Sequence, residues 1–462
     1  METAREVARL AWELNYSALD DSVRDRAKYL LLDHLGVAIR GSQTDSSHLI
    51  QRFLFVNHET SRGVTVLGTP LRAEASLAAL ANGAGAHSLE LDDVVNAASL
   101  HPGVAIIPAA LSAGCLAGCS GGELLAGIVA GYELTIKLGI ALDPAAHYAQ
   151  GFHPTATCGT FGAALAAAKI LKLDSEKTMR ALGIAGSQAA GSMEFLADGT
   201  FTKRLHAGWA AHAGLIAALL AREGFTGPAS IIEGRSGFLH AYSPLSDPNK
   251  VLDGWGRPYE LMKTSIKPHA CCRYKQGPID CILRIVREDR LAEQEIEKVV
   301  VSVLKAGFSI VAEPSEHKLN PKTIVDAQFS MPFGAAVAIV YGRAFLDQYC
   351  MENLASEKVR KVMSRVFCVQ DEKMEKEFPR KWPAEVEITT TNGRTYRSAL
   401  DHPRGDPENP LSWEEIIEKF TALASSVFSK EQCETIVDRV RTVEAETNVN
   451  SLMGSLAART PK

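Results

Sequence analysis

Two histidines each stand directly before a proline at the head of a small-residue segment, His101-Pro102 and His153-Pro154. An imidazole titrates near neutral pH, so either can give or take a proton in a reaction. Thr155, Thr157 and Thr160 follow His153. Hydroxyls beside the free N–H groups of a helix N-terminus make a seat for a carboxylate, and Thr155 is the expected substrate contact. Lys203, Arg204 and His206 open another helical segment. Cations there oppose the helix dipole, which argues for a bound anion, and Lys203 and His206, three apart, share a face. His212, deeper in that helix, reads as packing.

Two further groups carry ionisable side chains. Glu90, Asp92 and Asp93 lie between apolar runs. Acids so close commonly mark a solvated helix end, but the apolar flanks argue that some are buried. A buried carboxyl has a raised pKa and can orient or protonate a neighbour. Asp93 is the acid/base candidate of the three, and Glu90 and Asp92 are candidate substrate contacts. The second group is Lys267, His269, Cys272, Arg273 and Lys275. Lys267 and Arg273 suit an anion clamp, and positive surroundings predict a lowered pKa for the Cys272 thiol, which would make it a base.

The rest of the composition excludes more than it suggests. The chain has 462 residues, a net charge of −5 and 46% hydrophobic residues. That balance gives no reason to expect nucleic acid or an acidic membrane surface as a partner. No apolar run is read as approaching the roughly 18–20 residues needed to span a bilayer. The charged start, METAREVARLAWELN, is not expected to act as a signal peptide. Nine cysteines without framework spacing fit a reducing compartment, the cytoplasm or an organelle matrix. GxGxxG, GxxxxGK[ST], HExxH and paired CxxC patterns are all absent. Neither a cofactor nor a metal is therefore expected, and Cys115 and Cys119 read as small core residues.

These side chains need elements to hold them. Up to about residue 245 the pattern is helical, with Ala/Gly-rich runs at 74–88, 104–119, 124–141, 157–170, 179–191 and 205–223. Thr3 and Glu6 suggest a capping box; Val23, Ala27, Leu30, Leu31, Leu35 and Ala38 keep helical spacing before Gly41. Small residues allow close helix approach, so a compact bundle is expected. Gly224 and Pro228 end the helix that holds Trp209. After about residue 260 the character changes. Glu297–Lys305 alternates like a strand, and Asn392-Gly393 predicts a type I′ hairpin. Residues 326–342 and 351–366 read as helices, and Ser412 with Glu415 caps another.

In this order, the segments resemble the MmgE/PrpD family of 2-methylcitrate dehydratases, cis-aconitate decarboxylases and iminodisuccinate epimerases. The resemblance rests on LLLDHLGVAIRG, the acidic segment ending in HPG, GFHPTATCGTFGAALAAAKIL, TKRLHAG, IKPHACCRY, AQFSMPFGAAVA and GDPENPLSWEE. It implies a mainly α fold: a large all-helical domain over 1–262, a smaller α+β lid over 263–405, and C-terminal helices over 406–462 returning to the first. It further implies a homodimer, no cofactor, and a site in the cleft between domains lined by His101, His153, Lys203 and Lys267. Two departures stand out. ELDDV replaces a common DFDDT, so Glu90 and Val94 stand for Asp and Thr. Cys272 stands where animal decarboxylases have a histidine.

The reactions of such a family share charge delocalised into a carboxylate of a small polycarboxylic acid, which Lys203, Lys267 and Arg273 would stabilise while a His or Cys moves the proton. Dehydration of a citrate-like acid is the first expectation. Epimerisation with Cys272 as second base comes next, then decarboxylation, which the departures disfavour. A non-catalytic scaffold is set aside because every cationic and histidine segment is retained.

Overall fold

The computed structural model describes residues 2–197, 199–378 and 380–458. Tertiary contacts divide the chain into two units, one of Met1–Ser88, Asp92–Thr264 and Ser412–Lys462, the other of Leu89–Leu91 and Ser265–Leu411. Residues 406–411, expected with the returning helices, group with the second unit.

The first unit begins with α1 (Thr3–Glu13), α2 (Asp21–Gly41), α3 (Asp45–His58) and α4 (Ala75–Ala86), followed by α5 (Gly103–Ala117), α6 (Gly121–Ala141), α7 (Pro144–Ala149) and α8 (Pro154–Ile170). Then come α9 (Ser175–Gly186), α10 (Thr202–Arg222) and α11 (Phe238–Tyr242). The buried helix α8 packs against α5, α6 and α10, and α10 also crosses α4. Three expectations change. Thr3 is the first buried residue of α1 and makes no side-chain cap; Glu2 holds the N-cap position. The unit is not wholly helical, because β1 (Glu59–Thr65) pairs antiparallel with β2 (Arg72–Ala73). One helix, α6, is long and apolar enough to cross a membrane, although 94% of its apolar window is buried in the bundle. Its start is set by the Ser120–Glu123 capping box.

The second unit is built on α12 (Gln276–Glu288), β3 (Ile296–Val303), α13 (Lys305–Val311), α14 (Glu316–Leu319), α15 (Ile324–Gln328) and α16 (Met331–Tyr341). It continues through α17 (Met351–Ala355), α18 (Glu357–Met363), β4 (Val366–Gln370), α19 (Glu372–Glu375), β5 (Ala384–Thr390) and β6 (Thr395–Leu400). The sheet runs β4-β3-β5-β6, with β3 parallel to β4 and antiparallel to β5. The hairpin falls at Asn392-Gly393, but its turn is not type I′. Only Gly393 has a positive φ, 82°, and the Thr390 carbonyl accepts from Gly393 N at 2.8 Å. Asn392 instead spends its side-chain oxygen on Thr390 Oγ1 and Arg394 N.

The chain ends with α20 (Trp413–Ala424), α21 (Lys430–Arg441) and α22 (Asn450–Ser455), all in the first unit. The predicted Ser412–Glu415 box opens α20. Lys419 on α20 meets Asp33 on α2 at 2.6 Å, both buried, so the returning helix is pinned by a buried ion pair.

Gly208 shows why the small residues matter. A Cβ there would lie 2.1 Å from the Leu80 carbonyl oxygen on α4. Gly208→Ala must force α4 and α10 apart and should cost about 3 kcal/mol in urea unfolding. Gly454→Ala on α22, where a Cβ meets nothing within 4 Å, should cost nothing and serves as the control.

Candidate active site

The end of α4, the start of α5 and the start of α8 bring three histidines together. His87 is the C-cap of α4, His101 precedes Pro102 and α5, and His153 is the N-cap of α8. Ring centroids of His87 lie 5.2 Å from His101 and 5.7 Å from His153. His206, one turn into α10, adds a fourth ring 5.4 Å from His153. Backbone pairing holds the start of α8 in place, because His153 N donates to Gly191 O and Met193 N to Gly151 O.

Asp92 organises the group. Its Oδ2 lies 2.7 Å from His87 Nδ1 and 3.1 Å from His101 Nδ1. His101 Nδ1 is also 2.6 Å from the Asp93 carbonyl oxygen. A carbonyl can only accept, so His101 carries its hydrogen on Nδ1 and presents Nε2 as the group that exchanges protons. Thr155 Oγ1 accepts from His101 N at 3.1 Å, tying the two His-Pro entries together. Thr157 and Thr160 bond within the fold, to His147 and to the Ala156 carbonyl, rather than forming an open carboxylate seat.

Burial disfavours the charged form of three of these rings. Burial pushes His87 and His153 below the usual histidine range, and His206 falls to about 4 for the same reason. The charge of Lys203, on α10, acts in the same direction on all three. His153 Nδ1 and His206 Nδ1 lie 3.2 Å apart, so one donates to the other.

Asp93 is buried beneath the group. Tyr132 OH donates to its Oδ2 at 2.7 Å and Gly103 N to its Oδ1 at 3.1 Å, so it caps α5. Burial raises its carboxyl to about 7.

The second unit holds the remaining expected residues. Lys267 is buried and donates to the Glu90 carbonyl at 3.2 Å; Glu90 itself has a left-handed φ of 55°. Gln328 Nε2 donates to the Leu89 carbonyl at 3.2 Å, fixing the same short segment. Two expectations are corrected. Arg273 Nη2 lies 2.7 and 2.6 Å from the two oxygens of Asp406 and its guanidinium sits over Trp382, so it is engaged by protein groups rather than held open as a clamp. The Cys272 thiol is raised, not lowered, to about 11: burial outweighs the Lys267 charge, so at neutral pH it stays a thiol. His269 is likewise committed, to Asp280 at 2.8 Å. The residue that sequence reading passed over is His87. It opens the acidic segment, but nothing in its spacing told it apart from a helix-ending residue.

Asp93 has a measurable consequence. Its folded pKa of about 7 stands above the usual 3.8, so between those values the folded protein holds a proton the unfolded chain has released. Its contribution to stability therefore declines as pH rises through that window. Asp93→Asn, which removes the titrating carboxyl and keeps one acceptor oxygen for the Tyr132 hydroxyl or Gly103 N, should remove that decline. Wild type and variant should differ most above pH 7 in melting temperature against pH; parallel curves would refute the assignment.

This arrangement sits in a chain with recognisable relatives. The MmgE/PrpD N-terminal domain matches residues 5–250 and the MmgE/PrpD C-terminal domain residues 269–443. A cis-aconitate decarboxylase-like protein of Aspergillus oryzae is 29% identical over 98% of this chain and 96% of its own. The cis-aconitate decarboxylase of Aspergillus terreus is 27% identical over 97% and 94%, and that of Homo sapiens 28% over 93% and 89%. Both halves of the chain match and the relatives align along nearly all of it, so this protein belongs to the MmgE/PrpD family, at the level of a dehydratase- or decarboxylase-type lyase.

Proposed function

We propose that this protein is a cofactor-independent lyase that decarboxylates a cis-aconitate-like tricarboxylic acid. The observation that carries the reading is His101, whose Nδ1–H is locked by Asp92 and the Asp93 carbonyl so that Nε2 alone exchanges protons. In the reaction the C–C bond to one carboxylate breaks and CO2 leaves. The electron pair spreads through the double bond into a remaining carboxylate, and protonated His101 delivers its Nε2 proton to carbon. Lys203 supplies positive charge where negative charge develops. The names of the relatives support decarboxylation.

Dehydration of a citrate-like hydroxy acid is the second reading, favoured by Val94, where many family members carry Thr, and by Cys272, where animal decarboxylases carry His. There His101 Nε2 would take the proton next to a carboxylate, and the hydroxyl would leave as water after gaining a proton. Epimerisation loses its second base, because the Cys272 thiol stays protonated at neutral pH.

Incubation with cis-aconitate, citrate and 2-methylcitrate in D2O, followed by NMR, tests the choice. The expected outcome is CO2 release from cis-aconitate with one deuterium in the product. Water loss or gain alone would move the assignment to dehydration, and no turnover of any of the three would remove it. His101→Gln should lower kcat on the order of 10²–10⁴-fold.

Activity should also survive EDTA and dialysis. His402, Asp406 and Glu408 come within metal-ligand reach of one another, but Arg273 already neutralises Asp406. Loss of turnover on chelation, restored by a divalent ion, would contradict this.

The working form is proposed to be a homodimer. Leu49, Phe53 and Val56 on α3, and Leu205 and Trp209 on α10, are exposed apolar side chains at helical spacing. Light scattering at micromolar concentration should give twice the 49.8 kDa chain mass; a monomer would exclude it.

A further inference from the structure

His87 has a property the reaction above does not use. Its Nδ1 is held by Asp92, while its Nε2 is buried with no hydrogen-bond partner among the described residues. The residue is 1% exposed, packed edge-on to His101 and stacked on His153. Because Nδ1 faces a carboxylate oxygen, Nε2 carries a lone pair and is an enclosed acceptor. Buried polar atoms are almost always paired, so an orphan acceptor beside the candidate proton-transfer group points to something that arrives with the ligand.

The charges around it say what arrives. Asp92, His101, His153, His206 and Lys203 are the titratable groups that face His87 or act on it. Without ligand, burial keeps His87, His153 and His206 neutral. A polycarboxylate brings two or three negative charges into this group, and buried charge needs compensation. His153 and His206 have no hydrogen-bonded carboxylate among the described residues, and His101 must cycle its proton. His101 shares Asp92 at the longer 3.1 Å, whereas His87 holds it at 2.7 Å and has a buried, unpartnered Nε2, so protonation of His87 makes an ion pair with Asp92.

We propose that His87 takes up a proton when a polycarboxylate binds, storing beside Asp92 the positive charge that balances the ligand. The proton comes from solvent and bonds to the Nε2 lone pair. It stays there through turnover and returns to solvent when the product leaves. His87 is thus a positioning and charge-balancing residue, distinct from His101. The inference rests on the polycarboxylate reading of the site.

Tricarballylate, which has neither a double bond nor a hydroxyl, is the probe. Titration calorimetry in phosphate and in Tris, whose ionisation enthalpies differ, counts the protons taken up. Wild type should take up about one proton per ligand near pH 7. His87→Gln should bind roughly tenfold more weakly with that uptake lost. Histidine-nitrogen NMR of the wild type gives a second measurement that does not depend on the variant folding. The His87 Nε2 signal should move from the lone-pair to the N–H range as ligand is added. Unchanged uptake in His87→Gln, uptake lost instead in His101→Gln, or a static His87 Nε2 signal in ligand-saturated enzyme would each overturn the proposal while leaving the lyase reading intact. If wild type binds neither tricarballylate nor cis-aconitate, the polycarboxylate reading itself falls.

Discussion

The Asp92 carboxylate is the point on which the site depends. One of its oxygens meets ring nitrogens from His87, at the end of α4, and His101, at the start of α5. Two helices that enclose the site are therefore registered by one buried acid. A shared acceptor of this kind sets tautomers as well as positions, because the nitrogen it holds is the one that keeps its hydrogen. The same acid lets a cation form nearby in an interior that otherwise disfavours one.

Small residues let that geometry exist. Gly208 brings α10 against α4, and Gly103 leaves room for Tyr132 OH and the Asp93 oxygens, which lie 2.5 and 3.0 Å from where its Cβ would be. Close backbone approach puts His206 beside His153, and a larger side chain at these points would separate the elements that bear the histidines. The polar groups beneath are in turn paired: Asp93 with Tyr132 and Gly103 N, Asp33 with Lys419. The second unit uses comparable pairing for a different end. Lys275, fully buried, donates to the Ala327 and Gln328 carbonyls at the end of α15, and Gln328 holds Leu89. Lys267 holds Glu90 in its left-handed conformation, so the short segment Leu89–Leu91 is fixed by side chains far from it in sequence.

Much of this was legible in the residues themselves. Helical spacing located α2, and the Ser412–Glu415 box located the start of α20, because both signals are local. The strand β3 and the hairpin were visible for the same reason, as was the change from helical to mixed α and β character. His101, His153, Lys203 and His206 stood out because proline and glycine mark the helix entries that carry them. The small pair β1 and β2 was missed because its strands are short and lack alternation, and the hairpin turn type because Asn392 bonds its neighbours instead of adopting a positive φ.

What a side chain does once buried was decided by tertiary structure alone. Cys272 and Arg273 sit in a cationic stretch of sequence, which suggested a reactive thiol and an open clamp. The fold buries the thiol, raising its pKa, and supplies Asp406 from 133 residues further on to engage the arginine. His87 looked like a helix end and became the partner of Asp92. The sequence alone determined the family, the helices and the list of ionisable groups, because periodicity, caps and motifs act over a few residues. Protonation states and partners were left to the tertiary structure, because desolvation and charge act through space between segments the chain order keeps apart.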